Sequence, residues 1–139
     1  MITVAEIMTT DVLTLKPGDT LADARRLMTQ RHIHHVPVMD GDNLVGLVSH
    51  RDVLAATGSW QSGPDEKTVP LREIMRTELT TVTPETQLRA AALHMEKHRF
   101  GCLPVLENER ICGIVTETDF VGLAANLLEQ LEQIEPVQQ

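Results

Sequence analysis

Residues 46–52, Gly46-Leu47-Val48-Ser49-His50-Arg51-Asp52, return 67 positions later as Gly113-Ile114-Val115-Thr116-Glu117-Thr118-Asp119. Working outward from this pair, residues 4–54 align with 71–121 without a gap, and 14 of the 51 positions are identical. Among them are Ile7/Ile74, Met8/Met75, Pro17/Pro84, Leu21/Leu88, Pro37/Pro104 and Asp52/Asp119. The matches fall on turn residues, apolar positions and one carboxylate, as expected of two copies of one supersecondary unit.

The unit reads as strand, helix, strand, strand, helix. In the first copy, Val12–Leu15 is a short strand closed by the turn pair Pro17-Gly18. Thr20 with Asp23 forms a capping box, and Leu21, Ala24, Leu27 and Met28 recur at helical spacing to about Arg31. Val36-Pro37-Val38-Met39, the turn Asp40–Asn43 and Leu44–Val48 make a hairpin, with Pro37 restricted to a strand start or edge because it lacks an N–H. Ser49 then opens a second helix. The predicted fold class is α+β, with two pseudo-symmetric β-α-β-β-α units packed as one intramolecular pair, because about 50 residues are marginal alone. The predicted boundaries are 1–56, an exposed linker over 57–70, 71–124, and a helical extension and tail over 125–139. In the last of these, Leu123, Leu127, Leu131 and Ile134 continue one helical stripe, suited either to core packing or to another subunit.

Composition narrows the function. The 139 residues carry 12 Lys+Arg against 20 Asp+Glu, a net charge of −8, with only Trp60, Phe100 and Phe120 aromatic. Phosphate-backbone binding needs a basic face and single-strand binding needs aromatic platforms, so a nucleic-acid partner is disfavoured. No apolar run approaches a membrane span and the N-terminus lacks a signal-peptide pattern, which predicts a cytoplasmic protein with Cys102 and Cys112 as free thiols. The acidity is uneven, −2 over residues 1–60 and −6 over 61–139, and four of the six histidines lie in the first part.

Few polar positions are repeated. Ser49–Asp52 and Thr116–Asp119 read first as capping boxes, but a helix N-terminus with a hydroxyl donor also attracts anions, and an aspartate can accept both hydrogens of a ribose diol. The other repeated place is His34-His35-Val36-Pro37 and Gly101-Cys102-Leu103-Pro104, where a proline leaves carbonyls unpaired and able to receive an exocyclic amine. A hydrolase triad of Ser49, His50 and Asp52 fails because sequence neighbours at a helix start point apart.

Taken together, the doubled Ile-Met, x-x-h-Pro-Val and Gly-h-Val-[Ser/Thr]-x-x-Asp pattern resembles a tandem pair of cystathionine-β-synthase (CBS) domains, a Bateman module, over residues 4–121. The resemblance implies a free-standing, non-enzymatic regulatory module binding AMP, ADP, ATP or S-adenosylmethionine, with no obligatory cofactor. It also implies a homodimer that passes the ligand state to an effector protein. In that family each cleft is composite. Carried over, one cleft uses Ser49, Arg51 and Asp52 with Thr77, Leu79, Gly101, Cys102 and Leu103. The other uses Thr116, Thr118 and Asp119 with Thr10, Val12, His34, His35 and Val36. The aspartates hold ribose, the hydroxyls contact ribose or phosphate, the apolar residues clasp the base, and His34 and His35 face phosphate. Two alternatives remain: a ligand-free dimerisation scaffold, and a metal-binding module through His32, His34 and His35 with His50.

Overall fold

The computed structural model describes residues 1–57 and 65–134. The ordered elements are α1 (Leu21–Arg31), β1 (His35–Asp40), β2 (Asn43–Ser49), α2 (His50–Thr57), α3 (Leu88–His98), β3 (Cys102–Glu107), β4 (Arg110–Thr116) and α4 (Glu117–Ile134), with single 3-10 turns at Val4–Glu6 and Leu71–Glu73. Each copy of the repeat thus contributes two antiparallel strands and two helices, in agreement with the α+β expectation.

Local chemistry accounts for the element boundaries. Asp23 N–H donates to Thr20 Oγ1 and Thr20 N–H to Asp23 Oδ2, which closes the capping box at the start of α1. That backbone donor at Thr20 holds the Asp23 carboxyl below its ordinary value. Both α1 and α3 end on a left-handed residue, His32 (φ 54°) and Arg99 (φ 56°), at equivalent places in the repeat. The first hairpin turns on Gly41 at φ +61°, where a side chain would be strained. Pro37 stands opposite Leu47 in a two-stranded sheet, where every strand is an edge and its missing N–H breaks no second ladder.

The expected strand over Val12–Leu15 contracts to one parallel bridge, Leu15 with Val38. Leu15 N–H donates to Pro37 O and Met39 N–H to Leu15 O, at 3.1 and 2.8 Å. Residues 65–70, expected as exposed linker, are partly tied down: Leu21 N–H donates to Val69 O, Ala22 N–H to Glu66 O, and Arg25 pairs with Glu66 at 2.8 Å. Thr57, at the linker's other end, is buried. The intervening 58–64, including Trp60, and the tail beyond 134 lie outside the described residues.

The chain forms two compact units that do not coincide with the two sequence copies. One, here the Ser49 unit, comprises 11–57, 65–80 and 108–111; the other, the Thr116 unit, comprises 1–10, 81–107 and 112–134. Each sequence copy has sent its opening segment, with the Glu-Ile-Met motif, to the core of the other. In the Ser49 unit Leu71 is fully buried with Leu21, Ala24, Met28, Val36, Val38, Val48 and Val53, and Ile74 and Met75 pack against that cluster. In the Thr116 unit Val4 is fully buried with Leu88, Ala91, Met95, Leu103, Val105 and Val115, flanked by Ile7 and Met8.

Backbone bonds fasten each exchanged segment. Thr9 and Ile114 trade N–H to carbonyl bonds at 2.8 and 2.9 Å, and Arg76 and Leu47 do so at 3.0 Å in both directions. The repeated glycines make this approach possible. A Cβ on Gly113 would stand 2.7 Å from Met8 Sδ and 3.0 Å from Thr9 O, and one on Gly46 would press on the Met75 side chain. A methionine can move, but the Thr9 carbonyl is already held in the bridge to Ile114.

Candidate functional site

Each exchanged segment delivers one side chain to the carboxylate of the repeated motif. At the start of α2, Ser49 N–H donates to Asp52 Oδ2 at 2.8 Å and Asp52 N–H to Ser49 Oγ at 3.1 Å. The remaining oxygen, Oδ1, faces Arg76 Nε at 3.8 Å. At the start of α4, Thr116 N–H donates to Asp119 Oδ2 at 2.9 Å, and Oδ1 accepts from Thr9 Oγ1 at 3.1 Å. One oxygen of each aspartate therefore serves the helix cap, and the other reaches residue 76 or 9, which are equivalent positions of the repeat. The Arg76 side chain is 56% exposed, so its pair with Asp52 stabilises the fold by no more than about 1 kcal/mol and the guanidinium can be redirected cheaply.

The loops before β1 and β3 reach the same places. His50 N–H donates to His34 O at 2.8 Å, and the rings of His34 and His50 stand 5.5 Å apart. In the Thr116 unit Glu117 N–H donates to Gly101 O at 3.1 Å. The carbonyls of Pro37 and Pro104 accept from Leu15 and Val82. This corrects the expectation of unpaired carbonyls beside the prolines: those of His34, Pro37, Gly101 and Pro104 already take a backbone donor, because the helix starts and the extended segments need acceptors there.

The Ser49 unit holds Ser49, Arg51, Asp52, Thr77, Leu79, Val12, His34, His35 and Val36; the Thr116 unit holds Thr116, Thr118, Asp119, Thr10, Gly101, Cys102 and Leu103. Each of the two expected groupings therefore draws members from both units. Arg51, Thr77, Thr10, Thr118 and His34 are exposed; Ser49, Asp52, Leu79, Val12, His35, Gly101, Thr116 and Asp119 are half-buried. Val36 and Leu103 are fully buried among the core aliphatics. Arg76 and Thr9 escaped the sequence reading, which chose their neighbours Thr77 and Thr10. The alignment pairs them at a non-identical position, so identity alone passes over them. Among the described residues no three His, Cys, Asp or Glu side chains converge on a metal position.

Both cysteines are free. Burial, reinforced by the negative charge of Asp119, pushes the Cys102 thiol up to about 12, and burial also raises Cys112. At pH 8 the thiolate fraction of Cys102 is roughly a thousandfold below that of an unperturbed cysteine, so a thiol reagent is expected to label it only after unfolding. Mass mapping of labelled peptides checks this, and rapid native labelling of Cys102 contradicts it. The folded state keeps a proton that the unfolded chain loses near 9.0, so this group's contribution to stability is complete below pH 9 and falls as pH rises toward 12.

Residues 4–59 and 71–126 each match the family described as CBS domain. The chain belongs to the CBS domain family. The CBS domain-containing protein YhcV of Bacillus subtilis is 34% identical over 119 residues, which are 86% of this chain and 83% of YhcV. Among solved structures, a candidate acetoin utilization protein, AcuB, of Vibrio cholerae superposes with a TM-score of 0.83 at 44% identity, covering 98% of this chain and 99% of the other. CBSX2, solved in complex with AMP, superposes with a TM-score of 0.78 at 27% identity over 91% of this chain and 98% of its own. Several other curated relatives are longer enzymes, of which the chain spans 13% to 24%, and two are uncharacterized proteins of which it spans 39% and 41%. No helix among the described residues is long and apolar enough to cross a membrane.

Proposed function

We propose that this CBS pair is a non-enzymatic sensor of an adenosine-containing ligand, AMP, ADP, ATP or S-adenosylmethionine, and relays its occupancy to a partner protein. The observation that carries the reading is the twice-built Ser/Thr-x-x-Asp carboxylate, with one oxygen committed to the cap and the other turned to a side chain that can yield it. A ribose diol offers two hydroxyl donors for which such an oxygen is a strong acceptor. The AMP complex of CBSX2 supports adenosine as the ligand class. A thermal-shift panel tests it: a cognate ligand at 100 times its dissociation constant is expected to stabilise the protein by about 2.7 kcal/mol. No shift with any of the four overturns the sensor reading in favour of a scaffold.

The relay needs a surface, and α4 offers one. Of the stripe Leu123, Leu127, Leu131 and Ile134, only Leu123 packs against the core; every residue from 124 to 134 is exposed, with Ile134 at 76%. The core-packing reading of the stripe therefore fails beyond Leu123. Ala124, Leu127, Leu131 and Ile134 are spaced as the seam of a paired helix, and we assign a second copy of this chain as the occupant. Light scattering is expected to report a dimer that Leu127→Glu with Leu131→Glu converts to monomer. An unchanged dimer mass would place the interface elsewhere.

A further inference from the structure

The two histidines of residues 61–139, His94 and His98, stand four positions apart on α3 and therefore share one helix face. Their ring centroids are 4.4 Å apart, with the planes inclined at 51°. Phe100, just past the left-handed Arg99 that ends the helix, completes the group. Its ring is stacked on His98 at 5.5 Å and stands 5.9 Å from His94. All three residues belong to the Thr116 unit.

Packing does not call for imidazoles here. The equivalent positions of the first copy are Leu27, Arg31 and Ile33, and Leu27 and Ile33 simply pack against their core, as Phe100 does against its own. His94 is half-buried at the place Leu27 occupies in its copy, and its Nε2 is buried without a hydrogen-bond partner, the only such side-chain atom among the described residues. An unsatisfied buried polar atom costs free energy that an aliphatic at the same place would not. A ligand for that nitrogen would recover it.

We propose that His94 and His98 chelate a borderline divalent cation, Zn²⁺, Ni²⁺ or Cu²⁺, at the last turn of α3. Two histidines at this spacing on a helix can hold one ion together, and imidazole is a nitrogen ligand these ions favour. An ion lies about 2.0–2.1 Å beyond each ligating nitrogen, which sets the centroids of two rings sharing it about 4.5–5 Å apart. The 4.4 Å separation needs little rearrangement to reach that. His98 is exposed, so its ring can rotate off Phe100 and admit the ion to the His94 nitrogen while the core stays as it is. Glu96 lies on another face of the helix and Phe100 offers no donor, so water fills the remaining coordination positions. No third His, Cys, Asp or Glu among the described residues joins the pair, and two protein ligands make a reversible site rather than a closed structural one. The inference is independent of the adenosine reading above.

Isothermal titration of the full chain with zinc chloride in a non-chelating buffer tests this. His94→Gln and His98→Gln are each expected to weaken the tightest Zn²⁺ event by at least roughly tenfold, because each imidazole binds an ion already held by the other. Glu96→Gln, at an exposed position on a different face of α3, is expected to change it by less than about twofold. Imidazole resonances of the wild type give a readout that a folding defect cannot imitate. Those of His94 and His98 are expected to shift together at the lowest Zn²⁺ concentrations, ahead of the other four histidines. No Zn²⁺ binding by the wild type, first shifts at His32, His34, His35 or His50, or tight binding undiminished in folded His94→Gln and His98→Gln variants overturns the site.

Discussion

Leu71→Ala is expected to destabilise the Ser49 unit by about 2–5 kcal/mol, the range for removing a fully buried leucine without collapse of the space it leaves. Leu71 belongs to the second sequence copy, yet it is fully buried among Leu21, Ala24, Met28 and Val38 of the first. The cavity would be hard to close, because Leu71 sits in a 3-10 turn whose backbone is already committed: its N–H donates to Asp19 O at 2.7 Å and its carbonyl accepts from Met75 N–H at 2.8 Å. Native-state hydrogen exchange gives the sharper readout. Amides of α1 and β1 are expected to lose protection, although the substitution lies some 30 residues past the end of β1. Loss confined to α3 and β3, with α1 and β1 unchanged, would contradict the segment exchange.

The second large effect is on binding. Asp119→Ala removes both the cap acceptor and the oxygen now engaged by Thr9, and is expected to weaken the adenosine ligand of the Thr116 unit by about 30- to 100-fold. That corresponds to roughly 2–3 kcal/mol, the scale of hydrogen bonds to a charged acceptor. The same substitution loosens the start of α4 by about 1 kcal/mol, so a modest loss of stability is expected alongside. Calorimetry separates the two, since a lost cap leaves the protein folded at room temperature. Undiminished affinity in a folded Asp119→Ala protein would remove this carboxylate from the site.

Much of the fold was readable because its signals are local. The Thr20–Asp23 box, the Leu21, Ala24 and Met28 stripe and the Gly41 turn each involve residues within a few positions of one another, and each appears as the pattern predicts. Val12–Leu15 fell short of a strand because an apolar extended run does not reveal how many ladder bonds its neighbour will return. The exchange of the Glu-Ile-Met segments was hidden for a related reason. Val4 and Leu71 are equivalent aliphatics, and either would satisfy either core by volume and polarity.

The candidate site divides the same way. Ser49, Asp52, Thr116 and Asp119 announced themselves by repetition, and the cap geometry follows from their spacing. Arg76 and Thr9 are visible only once a bridge sets them beside a carboxylate distant in sequence. Val36 and Leu103 enter the candidate site through the family resemblance alone, because Val36–Val38 and Cys102–Val105 are buried without alternation and no periodicity separates a core side from a site side there.

Because Val4 shares its core with Leu88, Leu103 and Val115, the exchanged segment also imposes an order on synthesis. The Val4–Met8 segment lacks its core until α3 and then the β3–β4 hairpin have been translated, a delay on the order of ten seconds at ordinary elongation rates. Through that interval Val4, Ile7 and Met8 remain without their full core, while the core around Leu21, Val36 and Val48 can begin to assemble. The Val4–Met8 segment is thus the piece that closes the core it belongs to.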